Sequence, residues 1–185
     1  MDFKKSKSIL PNVITLMNLS LGMVAILLAA TPRPDNDLLV LSSFLIMFAA
    51  LTDRLDGKVA RRLNAVSELG KELDSLADMV SFGIAPVVIA WEMSLMPWGF
   101  AGLLICVIYP LAGAYRLARF NTVKFDKVFT GIPITIAGAL MSLVNLVDLF
   151  ALLKGRFTIA YTIITAVVLL LLSFLMVSKI KIDKR

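Results

Sequence analysis

Asp53 to Asp78 reads DRLDGKVARRLNAVSELGKELDSLAD, and its four aspartates stand inside a chain that is 59% hydrophobic. Asp53 and Asp56 are three residues apart, and Asp74 and Asp78 are four apart. Residues at these spacings share a helix face, so the stretch offers two carboxylates on each of two successive helices. Oxygen ligands with no histidine or usable thiol beside them suit a hard divalent cation, Mg²⁺ or Mn²⁺. The pattern points to a metal site at a membrane surface that handles phosphates.

The membrane follows from the flanks. The 185 residues suffice for one domain, 1–185, with no repeat, low-complexity tract or linker. Mean hydropathy is +0.88, only 17% of residues are charged, and the uncharged runs are long. These features predict an all-α polytopic membrane protein. Leu38 to Thr52 carries no charge for 15 residues, about 22 Å of helix against a hydrocarbon core of ~30 Å. Met79 to Trp91 is shorter still. The second helix must therefore run on through Asp53 to about Leu63, and the third must start near Gly70. The carboxylates then lie at the inner ends of helices two and three, where ionisable groups are costly unless they pair or bind something.

The remaining spans complete a set of six transmembrane helices. Residues 1–11, with Lys4, Lys5 and Lys7, read as a short N-terminal interfacial segment, and Asn12 to Pro32 forms the first span. A secretory signal is the lesser reading, since the run exceeds the usual h-region of ~7–15 residues. Met93 to Tyr115, Val128 to Val147 and Phe157 to Ser178 are the fourth, fifth and sixth spans. With both termini inside, only Arg33, Lys154 and Arg156 of the 19 basic residues fall outside. The asymmetry predicts a multi-pass protein of the cell membrane with cytosolic termini and a cytosolic aspartate site. The net charge of +6 then reads as positive-inside topology and contact with anionic membrane lipids, not as nucleic-acid binding. The single Cys106 excludes an intrachain disulfide. With no histidine in the chain, a general base must be Asp, Glu, Lys, Tyr or a metal-bound hydroxide.

On helix two, Asp53, Asp56, Gly57, Ala60 and Arg61 fall on one face, and the small residues admit a ligand between the aspartates and Arg61. On helix three, Ser67, Gly70, Asp74 and Asp78 do the same. Two cations held by four carboxylates would clamp a pyrophosphate for in-line displacement at phosphorus, with Arg61 as a phosphate contact. The bland alternative is ion pairing with Arg54, Lys58, Arg61, Arg62 and Lys71, although Asp74 and Asp78 have only Lys71 near in sequence. Thr15 and Asn18 share a face of the first span and either pack helices or face the aspartates. A divalent-cation transporter would place acids near the midplane, often in paired repeats, and neither feature appears.

The pattern Asp53-x-x-Asp56-Gly57-x-x-Ala60-Arg61, eight residues, then Gly70-x-x-x-Asp74-x-x-x-Asp78 resembles the CDP-alcohol phosphotransferase signature at every defined position. The stretches LNAVSELGKELDSLADMVSFGIAP, RLARFN, FTGIP and VSKI resemble the branch whose acceptor is L-serine. The resemblance implies that Asp53, Asp56 and Asp74 hold one metal, that Asp53, Asp74 and Asp78 share a second, and that Asp78 is the base. It implies that Gly57, Arg61 and Ser67 contact the CDP moiety of CDP-diacylglycerol or CDP-archaeol, with Thr15 and Asn18 completing that pocket, and that the protein is a homodimer. The same fold with another acceptor, glycerol 3-phosphate or an inositol phosphate, would want a denser basic pocket. From the residues themselves, Arg116 and Arg119, three apart with Asn121 beyond, either bind the serine carboxylate or anchor the inner membrane face.

Overall fold

The structure, a computed structural model, describes residues 9–31, 36–62, 67–122 and 131–178, with side chains for all of these except 9, 10 and 56–62. The interfacial segment falls outside the described residues up to residue 8. The described chain is helical throughout and contains no strand. Helix α1 is Ile9–Ala29, α2 Asn36–Arg62 and α3 Glu68–Asp78. A π-helical turn, Met79–Ile84, follows α3, then α4 (Ala85–Ala90), a second π turn (Trp91–Leu95) and a 3₁₀ turn (Met96–Trp98). Helices α5 (Gly99–Thr122), α6 (Ile134–Leu153) and α7 (Ile159–Val177) complete the bundle.

Among the described residues, five helical runs are long and apolar enough to cross a membrane, and one of them covers 55 residues, 68–122. That run doubles back. Gly99 takes φ 54° and ψ −126°, a backbone region open to glycine. Beyond it α5 returns antiparallel along the α3–α4 rod. The Tyr109 hydroxyl donates to the Phe82 carbonyl at 3.3 Å, and Asn121 Nδ2 donates to Ser75 Oγ at 3.0 Å. Tyr109 meets a specific need, because Pro86 has no N–H to give the Phe82 carbonyl four residues before it.

Polarity is sorted as lipid requires. Large apolar side chains such as Leu27, Phe48, Phe100 and Phe174 point outward, while Asn18, Ser42, Ser43, Ser142, Asn145 and Thr165 are buried between helices. Most of the hydroxyls satisfy themselves on their own helix, as Ser42 does on Leu38 O at 2.7 Å and Ser173 on Leu169 O at 2.7 Å. Small residues then let helices approach closely. At Gly138 of α6 a Cβ would lie 2.7 Å from the Phe82 Cα.

Helix ends differ from the sequence expectation for identifiable reasons. The fifth span was expected to stop at Val147, before Asp148, yet α6 continues to Leu153. Asp148 is buried and accepts a hydrogen bond from Thr165 Oγ1 of α7 at 2.5 Å, so the carboxyl is accommodated inside the bundle. The fourth span was expected from Met93. Residues 91–98 instead extend the preceding rod in π and 3₁₀ turns, and α5 starts at Gly99. Helix α3 starts at Glu68, two residues before the expected Gly70, because Ser67 caps it by accepting from the Gly70 amide at 3.0 Å.

Candidate active site

Two helices converge to build the site. Helix α2 carries Asp53 in its C-terminal half. Helix α3 begins exposed and sinks into the bundle, burying Ala77 and Asp78 in its last turn. One carboxylate oxygen from each of Asp53, Asp74 and Asp78 lies within 4.8 Å of the others. Asp53 and Asp74 are half-buried, and Asp78 is only 8% exposed. Asp78 Oδ1 has no hydrogen-bond partner among the described residues. Three charged carboxylates this close repel by roughly 3–4 kcal/mol per pair at an effective dielectric of 20. An all-oxygen donor set with an unpartnered buried oxygen therefore fits a hard divalent cation.

The surroundings complete the site. Thr135 of α6 donates its hydroxyl to Asp53 Oδ2 at 3.1 Å. Arg116 of α5 is half-buried and acts electrostatically on Asp78, and its Nε is buried without a partner among the described residues. The π turn begins immediately after Asp78. Ser81 within it donates to the Asn18 carbonyl of α1 at 3.0 Å, which ties α1 to the aspartate helix. The Asn18 side chain is fully buried, and neither its amide nitrogen nor its oxygen has a partner among the described residues. Thr15 is buried one turn away and donates to Pro11 O at 3.1 Å.

The other sequence-designated residues lie on α2, at the start of α3 and near the end of α5. Asp56, Gly57 and Arg61 lie on the α2 backbone, one to two turns beyond Asp53, and their side chains are outside the described residues. The Ser67 oxygen caps α3. Arg119 donates to Val177 O at 3.3 Å, and Asn121 bonds Ser75. These contacts hold α5 against α7 and α3. Two residues escaped the sequence reading. Asn12 approaches the start of α3, its Oδ1 lying 3.1 Å from where a Gly70 Cβ would stand. Thr135 is the other. Its signal was a lone hydroxyl just after FTGIP, in the first turn of an apolar helix.

The sequence matches known proteins over most of its length. A sequence model described as CDP-alcohol phosphatidyltransferase matches residues 8–180. A Bacillus subtilis protein named CDP-diacylglycerol–serine O-phosphatidyltransferase is 38% identical over 179 residues, covering 93% of this chain and 88% of its own. A Helicobacter pylori protein of the same name is 38% identical over 141 residues, covering 75% of this chain. That match spans 57% of the Helicobacter protein's length. A Methanocaldococcus jannaschii protein, again of that name, is 37% identical over 175 residues, covering 92% of this chain and 72% of its own.

Proposed function

Because the chain belongs to the CDP-alcohol phosphatidyltransferase family, we propose that it transfers a phosphatidyl group from CDP-diacylglycerol, or its CDP-archaeol counterpart, to the hydroxyl of L-serine. The products are phosphatidylserine and CMP. The observation that carries this reading is the Asp53–Asp74–Asp78 cluster, held within 4.8 Å beside Arg116, in a chain resembling serine phosphatidyltransferases over most of its length.

Asp53, Asp56 and Asp74 would hold one Mg²⁺ or Mn²⁺ ion, and Asp53, Asp74 and Asp78 a second. What the ions supply when bound is neutralisation of the donor's pyrophosphate charge. The protein's own groups do the rest. Gly57, Arg61, Ser67, Thr15 and Asn18 cradle the CDP moiety, the two unpartnered amide atoms of Asn18 being donors and acceptors in search of a ligand. The serine hydroxyl oxygen attacks the phosphorus bearing the lipid and its proton passes to Asp78. The bond from that phosphorus to the CMP oxygen breaks, and CMP leaves with the electron pair. The serine carboxylate sits on the Arg116 guanidinium, whose planar fork matches it.

The hairpin at Gly99 supports six membrane crossings, since each arm is about as long as a span. With six crossings and the basic residues inside, both termini and the site face the cytosol of a cell-membrane protein. We take the active species to be a homodimer. Asp78→Asn tests the base: transfer should fall ~10²–10⁴-fold while CDP-lipid binding persists. Transfer within tenfold of wild type would remove Asp78 from that role.

A further inference from the structure

The hydroxyl of Thr135 reaches Asp53 across 82 residues of sequence, from a helix that carries none of the motif. We propose that Thr135 is a positioning residue for the metal centre, which pins Asp53 Oδ2 and so fixes how the Asp53 carboxylate meets Asp74 and Asp78. The proposal rests on the reading of these aspartates as metal ligands and extends it to a third helix.

This hydroxyl has no acceptor on its own helix. Buried or partly buried hydroxyls in this bundle commonly donate to a carbonyl four residues back on their own helix, as Thr15, Ser42, Ser43 and Ser173 do. Thr135 is the second residue of α6, which starts at Ile134. Residue 131 lies before the helix, so the intrahelical acceptor does not exist. A threonine hydroxyl has one proton to give, and here it goes to Asp53 Oδ2.

The position is also built, not left to a loop. Gly131 adopts φ 80°, and a Cβ there would lie 2.6 Å from Met176 O and 2.9 Å from Leu175 O. The next amide, Ile132 N, donates to Leu175 O at 3.2 Å. The start of α6 is thus locked to the end of α7 through a backbone conformation suited to glycine, and Thr135 is presented to α2 from a fixed point. Electrostatics act in the same direction. The unpaired amides of the first turn of α6 put the positive end of its dipole beside the Asp53 carboxylate. An aspartate χ2 torsion is broad and roughly two-fold. A fixed donor on one oxygen selects the orientation that serves the ion, as partners of ligating carboxylates do elsewhere.

Mn²⁺ binding to purified protein without substrate, measured by calorimetry or by the paramagnetic resonance of free Mn²⁺, tests this. Thr135→Val keeps the shape and removes the donor. It should weaken Mn²⁺ binding about 10-fold or more, the range seen when such partners are lost. Thr135→Ser should restore binding to within threefold of wild type. At saturating Mn²⁺, T135V should leave the KM for serine unchanged, which a general loosening of the site would not. Asp53→Asn separates the two layers of the claim. If D53N binds Mn²⁺ poorly and T135V binds as wild type, Thr135 does not position the ligand. If D53N itself binds as wild type, the metal reading of the aspartates fails, and this proposal with it. Should T135V not fold, Thr135→Ala takes its place against the same T135S control, and equal binding by the two would overturn the proposal.

Discussion

Gly138→Ala puts the geometry of the site under direct strain without touching a ligand. The added Cβ would stand 2.5 Å from the Phe82 Cβ, 2.7 Å from its Cα and 2.9 Å from its carbonyl oxygen. Two of these atoms are backbone, so rotamer changes cannot relieve the clash. Ordinary contact begins near 3.4 Å, so α6 and the π turn must part by about 0.9 Å, an overpacking that costs roughly 1–3 kcal/mol. Phe82 lies four residues beyond Asp78 on one continuous helical run, and Gly138 lies three beyond Thr135. The separation is therefore passed to the aspartate cluster. A misplacement of 1 Å can cost 10²-fold in rate, so a loss of roughly 10–100-fold is expected. CMP release in detergent-solubilised protein, read beside a thermal unfolding curve, gives both quantities. A lowered Tm with a rate within twofold of wild type would refute the claim that this contact sets the site's geometry.

Arg116→Lys replaces a planar fork with a point charge and should raise the apparent KM for serine much more than that for the CDP-lipid; equal shifts would place Arg116 outside the acceptor pocket. Chelation of divalent ions should abolish transfer and Mg²⁺ or Mn²⁺ should restore it; activity that survives exhaustive chelation would mean that the aspartates serve another purpose. Gly131→Ala forces a side chain into a left-handed backbone against the α7 carbonyls, at ~1–2 kcal/mol for the conformation alone. It should lower Tm and weaken Mn²⁺ affinity together; a lowered Tm with wild-type affinity would detach the α6 start from the metal centre.

What the sequence made legible was whatever local periodicity controls. The 3–4 spacing placed Asp74 and Asp78 on one helix, and the short runs beside the motif forced α2 and α3 to extend into it. The structure then brings Asp53 of α2 to them. What stayed hidden was tertiary. No local pattern joins Thr135 to Asp53, or Asp148 to Thr165, because each pair is made by packing between helices. The π turn after Asp78 was equally invisible, since α and π turns bury the same residue types. The structural duties of Ser67, Arg119 and Asn121 were equally hidden. Their residue types fit ligand binding, and the structure employs each in a hydrogen bond that holds a helix end or a helix pair.

If the Asp53–Asp74–Asp78 cluster moves a phosphatidyl group onto serine, the purified protein must couple CMP release to lipid labelling. The most direct measurement is incubation of purified protein in CDP-diacylglycerol vesicles with Mn²⁺ and labelled L-serine, following CMP and labelled lipid together. The account predicts equal molar release of CMP and formation of labelled phosphatidylserine, both lost in Asp78→Asn. Release of CMP with glycerol 3-phosphate but not with serine would contradict it.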